Sequence, residues 1–406
     1  MEKWDLIVIG GGAAGFFGAI NAATKNKNLK ILILEKGKRV LEKVRISGGG
    51  RCNVTHSCYD PSVLHSYYPR GGRELLGPFH KFGPGDTLRW FESREVDLKT
   101  ESDGRIFPVS DDSHTIIACL QQERERLGIT LKLGYRVTEL KMMENKVWSV
   151  QTDFEHFQAT SILIATGSNP NIYKLLGKLG LPIIDPVPSL FTFNCRDSRI
   201  KNLPGISVDG AKLTISSPIK KLKLNSEGPL LITHWGFSGP AILKLSAWGA
   251  RILNEVQYEF VLKINWLGIS REVAENLLEG QDKKSKLNRT PFKIPQRLWQ
   301  NLLSHLKISG LFNWGDLSKI DKKKILIELL DGEYEIRGKS TFKEEFVTAG
   351  GVDLKAVDFK TFQAKEFPGL FLAGEVLNID GVTGGFNFQA AWTGSWLAGQ
   401  AIAASK

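Results

Sequence analysis

Residues 4–36 read WDLIVIGGGAAGFFGAINAATKNKNLKILILEK. Leu6 to Ile9 is a short apolar run of buried-strand type, Ala13 to about Thr24 a helix of small residues, and Ile31 to Leu34 a second buried strand. The stretch is therefore one β-α-β unit. Between its first strand and its helix stands Gly10-Gly11-Gly12-Ala13-Ala14-Gly15, which fits G-x-G-x-x-G. Gly10 permits the tight turn, Gly12 lets the backbone approach a pyrophosphate, and Gly15 lets helix and strand pack closely. The start of the helix offers unpaired N–H groups to phosphate oxygens. Glu35 ends the second strand, 20 residues beyond Gly15, where a carboxylate accepts hydrogen bonds from adenosine ribose hydroxyls. A glycine-rich turn alone is common, but strand, motif, helix, strand and acid in this order specify a dinucleotide site.

Two further stretches favour FAD over NAD. Ile162-Leu163-Ile164-Ala165-Thr166-Gly167-Ser168 is a buried strand ending in a small-residue turn, as where a chain passes an FAD a second time. Leu370-Phe371-Leu372-Ala373-Gly374-Glu375 is a third pass, followed by Asp380 and by Gly384-Gly385. Gly374 allows close approach to the ribityl-phosphate region, and Glu375 can contact it directly or through water. Gly385 opens a last helix that runs to about Ala404, and its N-terminus suits the negative charge of a reduced flavin ring. The expected FAD-binding set also takes in Ala13, Ala14, Lys36, Val137, Ala165, Thr166, Gly167 and Phe386.

These ends frame a chain of 406 residues, long enough for two or three domains, with 42% hydrophobic and 24% charged residues. The fold class expected is α/β: a Rossmann-type parallel-sheet FAD domain carrying an insertion. That domain is discontinuous, 1–190 plus 340–406. A β-rich insertion follows over 191–269, where Phe191 to Asn194, Lys212 to Ser216 and Tyr258 to Asn265 favour strands. Residues 270–339 read as a helical, lysine-rich subdomain, with KKSK at 283–286 and KKK at 322–324. Within the FAD domain, a helix is expected over Thr115 to Leu127 and strands from Thr130 to about Thr152, while 37–112 shows few long periodic segments. No apolar run reaches the roughly 18 residues of a membrane span. The first strand begins near Trp4, leaving no room for a signal peptide. Four cysteines, Cys52, Cys58, Cys119 and Cys195, show neither metal-ligand spacing nor a disulfide framework. No metal, no membrane association and a reduced, cytoplasmic setting are expected.

Four stretches besides IGGGAAG at 9–15 carry a family resemblance: KVRISGGGRCNVT at 43–55, GRIFPVSD at 104–111, THWGFSGPAIL at 233–243, and FPGLFLAGEVLNIDGVTGGFNFQAAWTGSWLAG at 367–399. With them the chain resembles, over essentially its full length, the BaiN/RdsA-type NAD(P)/FAD-dependent flavoproteins. The resemblance implies an FAD domain, a β-rich insertion and a helical subdomain. It also implies FAD contacts from Lys43, Arg45, Ser47, Gly48, Arg51, Cys52, Asn53 and Asn387. Activities in such families diverge: NAD(P)H-driven reduction of uridine to dihydrouridine in large-subunit ribosomal RNA, reduction of steroid-like enones, and oxidation of aminoacetone. A shared fold does not carry the substrate with it.

Only one Rossmann unit is present, so NAD(P)H is expected as a transient electron donor that visits the flavin, unless the substrate itself supplies the electrons. Cys52 and Cys58 invite comparison with the redox pair of disulfide reductases, but five residues separate them where four are usual, which favours two free thiols. Reduction of a C=C bond needs an acid within hydrogen-bond reach of the substrate. Cys52 and His234 are the candidates, and Arg51 can orient an anion or the flavin O2/O4 edge.

Charge bears on the substrate. The net charge is +11, and residues 191–339 hold 24 Lys and Arg against 15 Asp and Glu, a net of +9. Such asymmetry marks either a surface for a polyanion, here ribosomal RNA, or a solvated basic face. Trp299, Trp314 and Phe292, beside basic residues, are candidates for stacking bases or for the core. An RNA-reducing enzyme accounts for the charge. A small-molecule oxidase or enone reductase accounts equally for the FAD domain but leaves the charge unexplained, and a non-enzymatic flavin-binding partner is the third reading, against which retained NAD(P)H oxidation would argue.

Overall fold

The computed structural model describes residues 3–144, 146–217, 222–340 and 347–405. The chain forms two compact units, Met1–Val187 with Lys343–Lys406, and Pro188–Phe342.

In the first unit, β1 (Lys3–Ile9), α1 (Ala13–Lys25) and β2 (Ile31–Glu35) form the expected β-α-β unit. Leu6, Ile7 and Val8 are completely buried, as suits a central parallel strand covered on both faces. Five parallel strands run in the order Leu370–Leu372, His156–Ile164, β1, β2, Thr130–Leu133. The chain steps outward from β1 through β2 to Thr130–Leu133, then crosses back to the other side of β1. That reversal is a topological switch point, where such sheets open a crevice beyond the strand C-termini. Register sets what meets there: Ile9 pairs with Ile164, and Ile164 with Leu372. The motif loop after Ile9, the turn after Ile164 and the turn after Leu372 thus leave the sheet side by side.

Helix Phe386–Ala404 packs against α1. Small residues make this close contact possible: a Cβ on Gly399 would fall 2.8 Å from the Gly18 carbonyl oxygen. The helix expected over Thr115 to Leu127 spans Ser113–Arg126 and is capped by the Asp112 side chain. Strands Val137–Met142 and Trp148–Thr152 extend the sheet antiparallel from His156–Ile164. Residues 37–112 form short helices and a three-stranded sheet.

The second unit holds a seven-stranded antiparallel sheet, backed by helix Pro240–Glu255 and joined by helices Arg271–Glu279, Gln296–His305 and Lys319–Asp331. Its strands and helices share one hydrophobic cluster that reaches from Phe191 to Ile336. The β-rich and lysine-rich portions of the insertion are therefore one unit and not two, because neither closes a core alone. In that core Arg199 lies buried between Asp197 and Glu328, donating to each carboxylate at 2.7–3.1 Å. Trp299, Trp314 and Phe292 are 1%, 3% and 6% exposed within the same cluster, which corrects any base-stacking role for them. A ring buried in protein has no face left for a base.

Candidate active site

At the strand ends of the first unit, Gly10 and Gly15 are held by contact. An added Cβ on Gly10 would meet the Ala165 carbonyl oxygen at 2.4 Å, and one on Gly15 the Gly10 carbonyl oxygen at 2.0 Å. At Gly12 a Cβ would meet nothing within 4 Å. Gly12 caps α1 with no side-chain hydrogen bond, and the first turn holds no acidic residue. Within that turn neither a side-chain cap nor a carboxylate competes for the amides. A phosphate fits this arrangement, and the residues present suit the pyrophosphate of FAD.

Glu35 is half-buried beside them. Its Oε2 accepts from Gly11 N and its Oε1 from Gly37 N, both at 2.7 Å. The carboxylate therefore braces the motif loop as well as keeping one lone pair on each oxygen for a ribose hydroxyl. A small cleft alongside is lined by Gly10, Glu35, Lys36, Val137 and Thr166, all singled out from sequence. It is also lined by Tyr135, Arg136, Asn169 and Asn171, which sequence reading missed. Asn169 was findable, because it precedes a proline and caps helix Pro170–Leu179 through its side chain.

The other strand ends bring their residues together. A Cβ on Gly374 would lie 3.2 Å from Ala14 Cβ, so the third pass runs beside the first turn of α1. Glu375 is ion-paired with Lys43 at 2.5 Å, and its carbonyl accepts from Tyr173 Oη at 3.1 Å. Gly167, at φ 63°, stands 3.7 Å from the Glu375 carboxylate, measured from its missing Cβ.

Segment 42–53 is less regular than a helix. Backbone helicity breaks at Ser47, whose Oγ donates to Val44 O at 2.9 Å, and Gly48 and Gly49 take φ of 58° and 69°. A side chain at either would be strained. Arg45 lies 3.5 Å from Glu42. Arg51 donates to Glu101 at 2.6 Å and to Asp111 at 3.3 Å, with its guanidinium 3.9 Å over the Phe107 ring. Those partners commit Arg51 to positioning this segment.

Cys52 is completely covered by protein, and burial pushes its thiol up to about 12, against a hydrogen bond with Ser47. A covered thiol so reluctant to ionise does not fit a proton donor to substrate, so we set that role aside. Cys52 and Cys58 are free thiols, and burial with the nearby Asp60 carboxylate raises Cys58 too.

The loop before the last helix is pinned at three points. Asp380, fully buried, accepts from Nε and from one terminal nitrogen of the Arg70 guanidinium. The Asn387 amide accepts from Gly381 N at 2.8 Å and donates to Gly381 O at 3.0 Å. The Asn53 amide is oriented to donate to Thr55 O at 3.0 Å and accept from Gly385 N at 2.9 Å. Asn53, Asp380 and Asn387 thus shape the start of helix Phe386–Ala404 through protein contacts. Phe386 lies in an aromatic stack, with ring centroids 4.7 Å from His56 and 4.4 Å from Tyr67. His56, unremarked in the sequence, has both nitrogens engaged: Nδ1 accepts from Cys58 N and Nε2 lies 3.2 Å from Asp103 O. Burial lowers its pKa against the opposing Asp103 carbonyl, and both ring nitrogens have hydrogen-bond partners.

His234 belongs to the second unit, exposed in the turn between strands Leu222–Ile232 and Gly236–Ser238. Among the described residues, no group of three or more His, Cys, Asp or Glu is placed to hold a metal ion, and no helix is long and apolar enough to cross a membrane.

A parallel sheet whose three strand-end turns meet at an uncapped glycine-rich helix start defines a flavin-dependent oxidoreductase of Rossmann type. A family model described as HI0933-like protein Rossmann domain matches residues 4–401, and the chain belongs to that family. The 3-dehydro-bile acid delta(4,6)-reductase of Clostridium scindens is 27% identical over 98% of this chain and 98% of its own length. The ribosomal RNA dihydrouridine synthase of Haemophilus influenzae is 26% identical, again over 98% of each chain. Among solved structures, the 3-ketosteroid-delta4-(5alpha)-dehydrogenase of Rhodococcus jostii RHA1 matches with a TM-score of 0.53 at 13% identity, over 99% of this chain and 97% of that one. At that identity the likeness is one of fold.

Proposed function

We propose that this chain uses NAD(P)H to reduce a C=C bond conjugated to a carbonyl, and that its substrate is uridine in large-subunit ribosomal RNA. Two full-length relatives bear names from different substrate classes, yet both names describe saturation of such a bond. The reaction balances as uridine, NAD(P)H and a proton giving dihydrouridine and NAD(P)+. Bound FAD supplies the hydride transfer. In this reading Gly12 and the first amides of α1 hold its pyrophosphate, Glu35 its ribose, and Gly374 and the start of helix Phe386–Ala404 the remainder. Cys52, completely buried, is not the proton donor in this reading.

The observation that carries the RNA assignment is the net +9 of residues 191–339 against +2 for the rest of the chain. A polyanion is what such a field concentrates. The alternative, a steroid-like enone or small amine as substrate, rests on the equal similarity of the bile acid reductase. Deleting the gene in its native host and mapping ribosomal RNA by mass decides between them. Loss of one dihydrouridine, restored by the wild-type gene, is expected. An unchanged map, with purified enzyme turning over a conjugated ketone rapidly, would sink the RNA assignment and leave the flavin reductase.

A further inference from the structure

The basic excess of the second unit meets exposed carbon at one ledge. Lys283, Lys284, Lys286 and Arg289 follow one another along one run of chain, all exposed, and none is ion-paired among the described residues. That run is laced to segment 311–315: Lys286 bridges Asn313, Leu287 N donates to Phe312 O at 2.9 Å, and Trp314 N to Ser285 O at 3.0 Å. Lys286 Nζ reaches the Leu311 carbonyl at 3.1 Å. At this point Leu311 is 80% exposed and Phe312 47%. Underneath, buried Trp299 and Trp314 stack 6.1 Å apart, so the ledge stands on the core. The two carboxylates nearby are turned to backbone: Asp282 accepts from Lys284 N at 3.0 Å and Asp316 from Asn313 N at 2.7 Å.

Four cations without ion-pair partners among the described residues, on a run of chain laced to an exposed ring, have a specific chemical complement. A phosphate chain satisfies the cations, and an unpaired base offers a flat face to the ring. A duplex would use only the charges, because its bases are stacked on each other. We propose that this ledge docks single-stranded RNA, with Phe312 stacking one unpaired base while Lys283, Lys284, Lys286 and Arg289 neutralise flanking phosphates. The proposal rests on the RNA reading above and assigns it a surface.

The test uses the full-length, FAD-loaded protein and fluorescence anisotropy over a salt series. The probes are labelled oligouridylate, a fully paired RNA duplex and polyglutamate. Phe312→Ala is expected to weaken oligouridylate binding roughly 5- to 150-fold, the loss of one stacked base, while leaving the salt slope and duplex binding as they were. Phe312→Trp restores binding. K283Q/K284Q/K286Q should flatten the slope of log affinity against log salt by about 2, from about 0.7 per phosphate contact on a single strand. Circular dichroism melting checks that each variant is folded, and all four side chains changed are exposed. Wild-type protein that binds neither RNA overturns the RNA reading and the ledge together. Wild-type protein that binds oligouridylate, with both variants binding equally well, overturns the ledge alone. Polyglutamate binding as tight as RNA binding, equally lost in the triple variant, would assign the ledge to an acidic protein.

Discussion

Gly12 and Gly15, three residues apart in one motif, should fail in different ways when each becomes alanine. In Gly15→Ala the new methyl would stand 2.0 Å from the Gly10 carbonyl oxygen and 3.2 Å from Val8 Cγ1. Ordinary contact begins at 3.4 Å, so the first turn of α1 must move off β1 by about 1.4 Å. Overpacking of this kind costs about 1–3 kcal/mol. At roughly 2–4 °C per kcal/mol for a domain of this size, the apoprotein should melt roughly 2–12 °C lower. Gly12→Ala meets nothing, and its φ of −91° and ψ of −170° are open to alanine. Apoprotein stability should fall by less than about 1 kcal/mol, the weaker preference for alanine at a helix cap. FAD affinity, however, should drop by about tenfold or more, about 1.4 kcal/mol, because the methyl fills the approach to the α1 amides. Circular dichroism melting of apoprotein and titration of flavin fluorescence separate the two effects. Wild-type FAD affinity in Gly12→Ala would refute the pyrophosphate assignment. An equal loss of apoprotein stability in both variants would refute the division of labour.

Glu35→Ala removes the acceptor for two loop amides as well as a ribose contact. Hydrogen bonds to a charged group contribute about 1.5–3 kcal/mol, so FAD should be lost on gel filtration, and full retention would remove Glu35 from the site. Replacing Cys52 and Cys58 together with serine should leave anaerobic bleaching of the flavin by NADPH intact; abolition of bleaching with FAD still bound would reinstate a redox pair. Burial works to raise the Asp197 carboxyl, but hydrogen bonds from Arg199 outweigh it and hold the group below its ordinary value. A depressed carboxyl stabilises the fold above its unfolded pKa of about 3.9 and loses that contribution as pH falls through the folded value. Acid unfolding of the second unit should therefore begin below about pH 4. Asp197→Asn should lower stability at neutral pH and flatten that acid limb; an unchanged limb would mean that the Asp197–Arg199 pair does not set it.

The β-α-β unit was legible because everything that defines it is local. A period of two or 3.6 residues, a glycine triplet and an acid at the next strand end dictate backbone geometry within some thirty residues of chain. The second and third passes were legible for the same reason, each being an apolar run with a small-residue turn. The net charge of 191–339 is likewise a property of composition and needs no coordinates. Side-chain fate is different. Trp299 and Trp314 sit among lysines in the sequence, yet helix and loop geometry turns the rings inward and the charges out. Cys52 comes just after three glycines and is a candidate acid in the sequence, but the packed segments around it cover the thiol completely. The backbone partners of the Asn53 and Asn387 amides, at Thr55 and Gly385 and at Gly381, could not be read from the sequence either. Lys43 meets Glu375 across 332 residues and Arg70 meets Asp380 across 310. Such partners are chosen only when the closing sheet brings the two chain ends together, because a side chain bonds to whatever stands beside it in space, and separation along the chain carries no record of that.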